Sequence, residues 1–523
     1  MNRFFNVTGF CNPERHYIID PLRGLHEQIV KLIQDQYYFT MHAPRQSGKT
    51  TMLHSLMHKI NGEGENICLV FSLESAGYRS IPVKDANIAI VEAIRTSAER
   101  FLPQEYQPKH QPKGSASAMK DFLSQWAQQL PKPLILLVDE IDSLYDDVLV
   151  SVLRQFRDGF QLRPTNFPSS VVLVGLRDVR DYKDKVREGL NSMGSGSPFN
   201  IKAESFRLNN FNRGQIQRLL QQYTDEGGQV FSEKVVDLFV SYTGGQPWLV
   251  NALACEIVYK ILNYDVSKEV TPEIVDQAKE NLIVRRDTHL DSLIDKLQNP
   301  RVRPIIDGLL SGIDVSYDSY NDDLLYIEDL GLVVNDIDKG IVITNQIYSE
   351  IIPRILNKNF QDLMAPKVER QWYIKPDGKL DMPALLVEFQ DFYREHSESW
   401  LDKFSFHESG KQLLLMAFLQ RIVNGGGKTT REMAVGRGRT DLVIEYEGDT
   451  FVLELKIRYK NYNSTKAYTQ LIRYLDVKNQ PHGYLILFEN KPATEIPWEQ
   501  RIKWTELEHE WHGIKKQITL VEL

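Results

Sequence analysis

Residues 37–60, YYFTMHAPRQSGKTTMLHSLMHKI, constrain the fold of this chain more than any other stretch. YYFTMHA is an apolar run of strand length, APRQSGK has the composition of a turn, and TTMLHSLMHKI reads as a helix. A strand, a tight loop and a helix in this order set backbone N–H groups at a helix N-terminus, which is a cradle for phosphates. On this reading Ala43, Pro44, Arg45, Gln46, Ser47, Gly48, Lys49, Thr50 and Thr51 surround the phosphates of ATP. Lys49 reaches the β- and γ-phosphates, and the Thr50 hydroxyl holds Mg²⁺. Ala43 stands where such loops usually begin with glycine, whereas Gly48-Lys49-Thr50 is intact.

LLVDEID, residues 136–142, supplies the second half of that site. PLILLVDE is a near-continuous apolar run closed by two acids, the pattern of a parallel strand covered on both faces. Asp139 is expected to bind Mg²⁺ through water, and Glu140 to polarise the attacking water. NICLVFSLES (66–75) and SSVVLVGLRD (169–178) repeat the strand pattern. Strands alternating with helices predict a parallel α/β sheet. Helical periodicity takes over from about 211 to 298. LLYIEDLGLVVNDIDKGIVITNQIYSEII (324–352) reads as a helix, a two-stranded wing and a further helix, which suggests a small winged-helix module.

Together these segments resemble AAA-like ATPases close to the STAND and archaeal-ATPase branch of P-loop NTPases. Arg177 follows the strand VVLVG, where the resemblance implies an arginine that senses the γ-phosphate. Gly245-Gln246-Pro247, within GGQPWLV, is similar to the G-x-P motif of that branch, which implies that Pro247 packs near adenine. HYIIDPLRGL (16–25) resembles the segment on the adenine side of such ATPases. The resemblance also implies a nucleotide-dependent homo-oligomer in which a neighbour's arginine completes the site. Arg154 and Arg157 are the candidates for that role.

A second chemical question lies in GRGRTDLVIEYEGDTFVLELKIRYK, residues 436–460. Two alternating runs flank the turn residues Gly448 and Asp449, which predicts a β-hairpin. Period 2 puts Val452, Glu454 and Lys456 on one face of the second strand and Leu453, Leu455 and Ile457 on the other. Asp441 opens the first strand, within reach of Glu454. An apolar helix (409–423), a short strand (430–435), the hairpin, an amphipathic helix (466–477) and a strand (483–490) follow one another. That order resembles the core of the PD-(D/E)xK nuclease superfamily. The resemblance implies that Asp441 and Glu454 hold one or two Mg²⁺ ions, or Mn²⁺ in their place, against a scissile phosphate. It further implies that Lys456 orients the attacking water, and that Gln470 with Tyr474 forms an accessory motif of the RecB-like branch. Glu408 would be an additional acid. The alternative for Glu454 and Lys456 is an exposed cross-strand ion pair, worth under about 1 kcal/mol.

A length of 523 residues allows several domains, each with its own core. The expected order is an α/β P-loop AAA-like ATPase core (1–210), a helical lid (211–298), a winged-helix module (299–356), a linker (357–382) and a PD-(D/E)xK restriction-endonuclease-like α/β domain (383–523). No run of 18 apolar residues occurs, so no membrane span is expected. Three scattered cysteines, Cys11, Cys68 and Cys255, suggest a reducing cytoplasm. With a net charge of -8, contact with nucleic acid, DNA being favoured, needs a local basic patch. Arg437, Arg439, Lys456, Arg458, Lys460, Lys466 and Arg473 are its candidates. The combined architecture resembles bacterial AAA-like domain proteins. It implies an ATP-binding and hydrolysing switch that controls a Mg²⁺-dependent nuclease, with defence against foreign DNA as the use that analogy suggests. The alternative is an ATP-regulated DNA- or protein-binding protein whose nuclease-like domain is catalytically inactive.

Overall fold

A computed structural model describes residues 3–78, 81–110, 115, 117–176, 201–285, 293, 295–310, 317–318, 321–337, 340–352, 373–401, 415, 418–419, 428–433, 440–446, 448–458, 463–489, 503–511 and 513–523. Side chains are described for these except at 146, 392, 394–401, 428–433 and 440–441. The chain divides into two compact units, Met1–His289 with Asn321–Leu332, and Leu290–Tyr320 with Val333–Leu523.

In the first unit β1 (Tyr38–His42), β2 (Ile67–Ser72), β3 (Leu134–Asp139), β4 (Ser170–Gly175) and β5 (Lys202–Arg207) form one sheet in the order β2-β3-β4-β1-β5. Every neighbouring pair is parallel. Parallel pairs need long crossovers. The helices around the sheet are α1 (His26–Gln34), before β1, then α2 (Lys49–Glu63), α3 (Val83–Phe101), α4 (Ala118–Gln129) and α5 (Asp146–Gly159). Leu136, Val138, Val171 and Leu173 face α3, α4 and α5 through Ile90, Ile94, Phe122, Trp126 and Phe156. Ile135, Leu137, Val172 and Val174 face the other way, onto Ile29 of α1 and Leu53, Leu56 and Ile60 of α2. A continuous apolar run read with period 2 therefore feeds both layers, and these strands keep no polar face. The carboxyl ends of β1 and β3 lie at one edge with β4 between them, and that edge carries the loop 43–48 and Asp139.

Beyond the sheet come α6 (Arg213–Gly227), α7 (Glu233–Thr243), α8 (Pro247–Cys255) and α9 (Pro272–Arg285). Asn212 opens α6 in a capping box with Gln215, and Ser232 caps α7. Gly245, at φ +69°, makes the turn into α8, where a Cβ would collide with the Phe211 carbonyl. The helix α10 (Asp322–Asp329) also belongs to this unit.

In the second unit, β6 (Val333–Asp336) and β7 (Gly340–Ile343) form an antiparallel pair. The elements expected over 324–352, a helix, two strands and a helix, occur in that order. A six-stranded sheet follows, ordered β12-β13-β11-β10-β9-β8. Its strands are β8 (Lys428–Met433), β9 (Thr440–Tyr446), β10 (Asp449–Arg458), β11 (His482–Glu489), β12 (Lys503–Trp511) and β13 (Ile514–Glu522). β9 and β10 are the expected hairpin, and β10 then pairs in parallel with β11. Two helices, α11 (Met382–Leu401) and α12 (Ser464–Val477), cover opposite faces. Leu453, Leu455 and Ile457 pack with Leu385, Leu386 and Phe389 of α11, and Tyr373, Leu380 and Met382 join that core. Val452 packs with Ala467, Leu471 and Leu475 of α12. The helix expected over 409–423 lies largely outside the described residues. No helix among the described residues is long and apolar enough to cross a membrane.

Candidate functional site

The loop between β1 and α2 is shaped by two left-handed residues, Gln46 at φ +58° and Gly48 at φ +89°. Gly48 is the residue before the first helical position, so the free N–H groups of α2 open into the loop. The Lys49 ammonium lies back over the loop and donates to the carbonyls of Ala43 and Pro44, each at 2.8 Å. Ser47 Oγ donates to Pro44 O at 2.7 Å, which holds the loop closed on itself. Burial pushes the Lys49 pKa down to about 8, against the pull of Asp142, Asp139 and Glu140. A buried cation resting on neutral carbonyls is ready to exchange them for an anion.

Thr50 Oγ1 donates to Asp139 Oδ2 at 2.8 Å. A hydroxyl and a carboxylate side by side at a helix N-terminus are hard oxygen ligands that fit Mg²⁺, and the loop fits triphosphate. Mg²⁺ held there by Thr50 and Asp139 would neutralise phosphate charge. Burial raises the Asp139 pKa, and the Thr50 hydrogen bond and Lys49 lower it again. Glu140 adopts φ +57°, a conformation rare for a residue with a side chain. Its Oε2 accepts from Ser72 Oγ at 2.8 Å, across the β2–β3 register that pairs Ser72 with Asp139. Burial raises the Glu140 pKa most, so its basicity is higher than that of an exposed carboxylate. Ser72 was not expected from the sequence, because its neighbour in space lies 68 positions away.

Beside the loop lies a cavity of about 480 Å³ bounded by Gln46, Gly48 and Thr51 and by Pro247, Trp248 and Asn251 of α8. Its size suits a small-molecule ligand. Pro247 thus shares this cavity with residues of the phosphate loop. The residue between Gly245 and Pro247 does more than spacing: Gln246 Oε1 accepts from Leu249 N at 2.6 Å, capping α8. Its Nε2 reaches the carbonyls of Arg45 and Gln46 at 3.4 and 3.3 Å. Arg23 also ties to this loop, donating to Ser47 O and Asn209 O and lying over the Phe211 ring. Burial lowers its pKa to about 10.

The last turn of α10 lies against the ends of β5 and β1, next to the loop. Arg207, at the end of β5, donates to Glu328 Oε1 and Glu328 O, both at 2.6 Å. His42, its register partner at the end of β1, lies 3.3 Å from Asp329 Oδ1. Two acids at a helix C-terminus oppose the helix dipole, and the Arg207 guanidinium offsets them. Gly331 follows, with φ +74°; a Cβ there would sit 2.6 Å from Pro44 Cγ.

In the second unit, Glu454 is fully buried and Lys456 nearly so. The exposed ion pair considered as the alternative is therefore not what the chain forms. The Lys456 ammonium pairs with Glu454 Oε1, and among the described residues no other donor reaches the Glu454 carboxylate. The β9–β10 pairing runs to Leu453–Leu442, one step short of Glu454 and Asp441. Asp441 lies in β9, but its side chain is outside the described residues. Gln470 sits half-buried on α12, which packs on β10 and β11. Arg458 is engaged by Glu489 and Glu522, and Arg473 lies over Trp511, so the expected basic patch is partly committed within the fold. Arg177, Glu408, Arg437, Arg439 and Lys460 lie outside the described residues. Arg154 lines a separate cavity beside Lys120 and Asp158.

Residues 16–351 match the family model described as "AAA-like domain". Among solved structures the chain is similar to the Walker-type ATPase of Pyrococcus abyssi (13% identity, 66% of this chain and 99% of that one, TM-score 0.45). It is also similar to Cdc6p of Pyrobaculum aerophilum (14% identity, 66% and 97%, TM-score 0.37). A third is the Thermotoga maritima RuvB Holliday junction branch migration motor (14% identity, 65% and 98%, TM-score 0.34). No match is found among curated proteins. The family match spans more than half of the chain and contains both the phosphate loop and the Asp139–Glu140 pair, so the chain belongs to the AAA-like domain family and is an ATP-binding P-loop ATPase.

Proposed function

We propose that the ATPase unit is a nucleotide-driven switch and that the C-terminal sheet is a PD-(D/E)xK-type domain that cuts nucleic acid, DNA foremost. In this reading Thr50 and Asp139 hold Mg²⁺ at the ATP site, Glu140 is the base, Arg177 senses the γ-phosphate and Pro247 packs near adenine. At the second site, Asp441 and Glu454 hold Mg²⁺, with Lys456 and Gln470 beside them. Glu454 is the observation that carries the nuclease half. A fully buried carboxylate whose one partner among the described residues is a neighbouring ammonium is costly unless it has a task. Buried ion pairs are weak sources of stability, and apolar residues of similar size often replace them without loss. Metal ligation accounts for the residue types: carboxylates are hard oxygen ligands, and an ammonium steadies a nucleophilic water or developing negative charge.

The switch half is supported by α10. The Gly331–Pro44 approach sets the turn after that helix against the phosphate loop, the Arg207–Glu328 bond ties the helix to the end of β5, and the chain runs on into β6. With β6, β7 and the flanking helices, α10 would form the winged-helix module. One observation favours a second reading. Lys456 already closes on Glu454, which suits a nuclease-like domain that only grips its partner under ATP control.

Counting bound Mn²⁺ by electron paramagnetic resonance on the nucleotide-free full chain separates the two. Loss of a bound ion in Glu454→Ala but not in Lys49→Ala supports the nuclease reading. An unchanged count in Glu454→Ala favours the second.

A further inference from the structure

At the carboxyl edge of the first sheet, β4 keeps one neighbour and leaves the other. Its ladder with β1 runs to the His42–Gly175 pair. Its ladder with β3 stops at Val138–Leu173, one residue short of Asp139. Past that point a side chain bridges the gap: Asp142 Oδ1 accepts from Leu176 N at 3.0 Å. Asp142 lies in the short helical turn Ile141–Ser143, which starts from Glu140 and is closed by Ser143 N donating to Glu140 O at 3.0 Å. On the far side of β4, Gly175 O accepts from Ala43 N at 3.2 Å, and Ala43 O accepts from the Lys49 ammonium at 2.8 Å. A run of bonds therefore leads from the Glu140 turn, through Asp142 and the end of β4, to Lys49.

We propose that Asp142 is a positioning residue for ATP hydrolysis: its bond to Leu176 N sets the gap between Glu140, which activates the water, and Lys49, which holds the γ-phosphate. The inference rests on Glu140 and Lys49 acting in those roles. Both residues follow strand ends, and β4 lies between those strands. The γ-phosphate has to span that gap for the water to attack it. A misplacement of about 1 Å can cost about a hundredfold in the chemical step. ADP has no γ-phosphate to span the gap, and the loop amides with Lys49 are enough to hold it. In this role the carboxylate serves as an acceptor of fixed reach rather than as a charge. Asparagine offers the same acceptor at the same reach without the charge. Glutamate keeps the charge but carries its oxygens one methylene further out.

Steady-state ATP hydrolysis and ADP calorimetry on the full chain test this. Asp142→Asn is expected to keep kcat within about threefold of the wild type. Asp142→Glu and Asp142→Ala should each lose about tenfold or more in kcat while binding ADP within about twofold of the wild type. Wild-type kcat in Asp142→Glu or Asp142→Ala would overturn the assignment, as would a loss in Asp142→Asn as large as theirs. Loss of ADP binding in Asp142→Glu and Asp142→Ala would also overturn it, since that marks a support of the fold and not of the reaction. Wild-type hydrolysis in Glu140→Gln would instead overturn the role of Glu140, and the assignment of Asp142 with it.

Discussion

At the scale of single residues, Lys49 is where burial and charge oppose each other most directly. Burial lowers its pKa from 10.5 to about 8, while a bound phosphate favours the protonated form. Below about pH 8 the ammonium is already charged, and ATP affinity should be flat. Above it, each binding event must take up a proton, so affinity should fall by up to about tenfold per pH unit. Calorimetry in two buffers of different ionisation enthalpy measures that uptake; proton release in this range would contradict the account. Lys49→Ala should abolish ATP binding, since the phosphates lose their fixed counter-charge. Glu140→Gln should leave affinity near that of the wild type and slow hydrolysis by about a hundredfold or more, because only water activation is removed. A phosphate-release assay beside the calorimetry checks both, and unchanged ATP affinity in Lys49→Ala would reject the phosphate site.

At the scale of elements, the turn after α10 meets the phosphate loop where Gly331 faces Pro44. Two glycines with similar backbone strain give it a controlled test. Gly64, at the end of α2, has φ +77° and open space around it, so Gly64→Ala should cost about 1 kcal/mol and spare ATP affinity. Gly331 has φ +74° and faces Pro44, whose carbonyl receives the Lys49 ammonium. Gly331→Ala should therefore also weaken ATP binding, by about tenfold. Equal ATP affinity in the two variants would break the link between α10 and the loop. The local elements on either side of this joint were legible in the sequence: the strand–loop–helix at 38–63, the acid-tipped β3 and the β9–β10 hairpin all announce themselves by period and turn chemistry. The joint itself was not, because Arg207 and Glu328 are separated by 121 positions. β5, KAESFR, was missed for a different reason. It is a polar edge strand, so it lacks the apolar run that marked β1 to β4. Gln246 was hidden in the cap of an apolar helix, where pattern alone reads only packing.

At the scale of the whole molecule, the account joins one chemistry that the family match carries to a second that rests on a buried acid in a different unit. The two sites are expected to be separable by mutation. Glu454→Ala should leave ATP hydrolysis within about twofold of the wild type, since Glu454 belongs to the second unit and the phosphate site to the first. Its partner Lys456 belongs to the same strand, so the local cost stays within the second sheet. The most direct measurement is incubation of the full chain with plasmid, linear and single-stranded DNA in Mg²⁺, with and without ATP, for the wild type, Lys49→Ala and Glu454→Ala. The account expects wild-type cleavage that changes with ATP, loss of that ATP response in Lys49→Ala, and loss of cleavage with ATP hydrolysis retained in Glu454→Ala. Absence of cleavage of every substrate by the wild type, or cleavage that survives in Glu454→Ala, would contradict it.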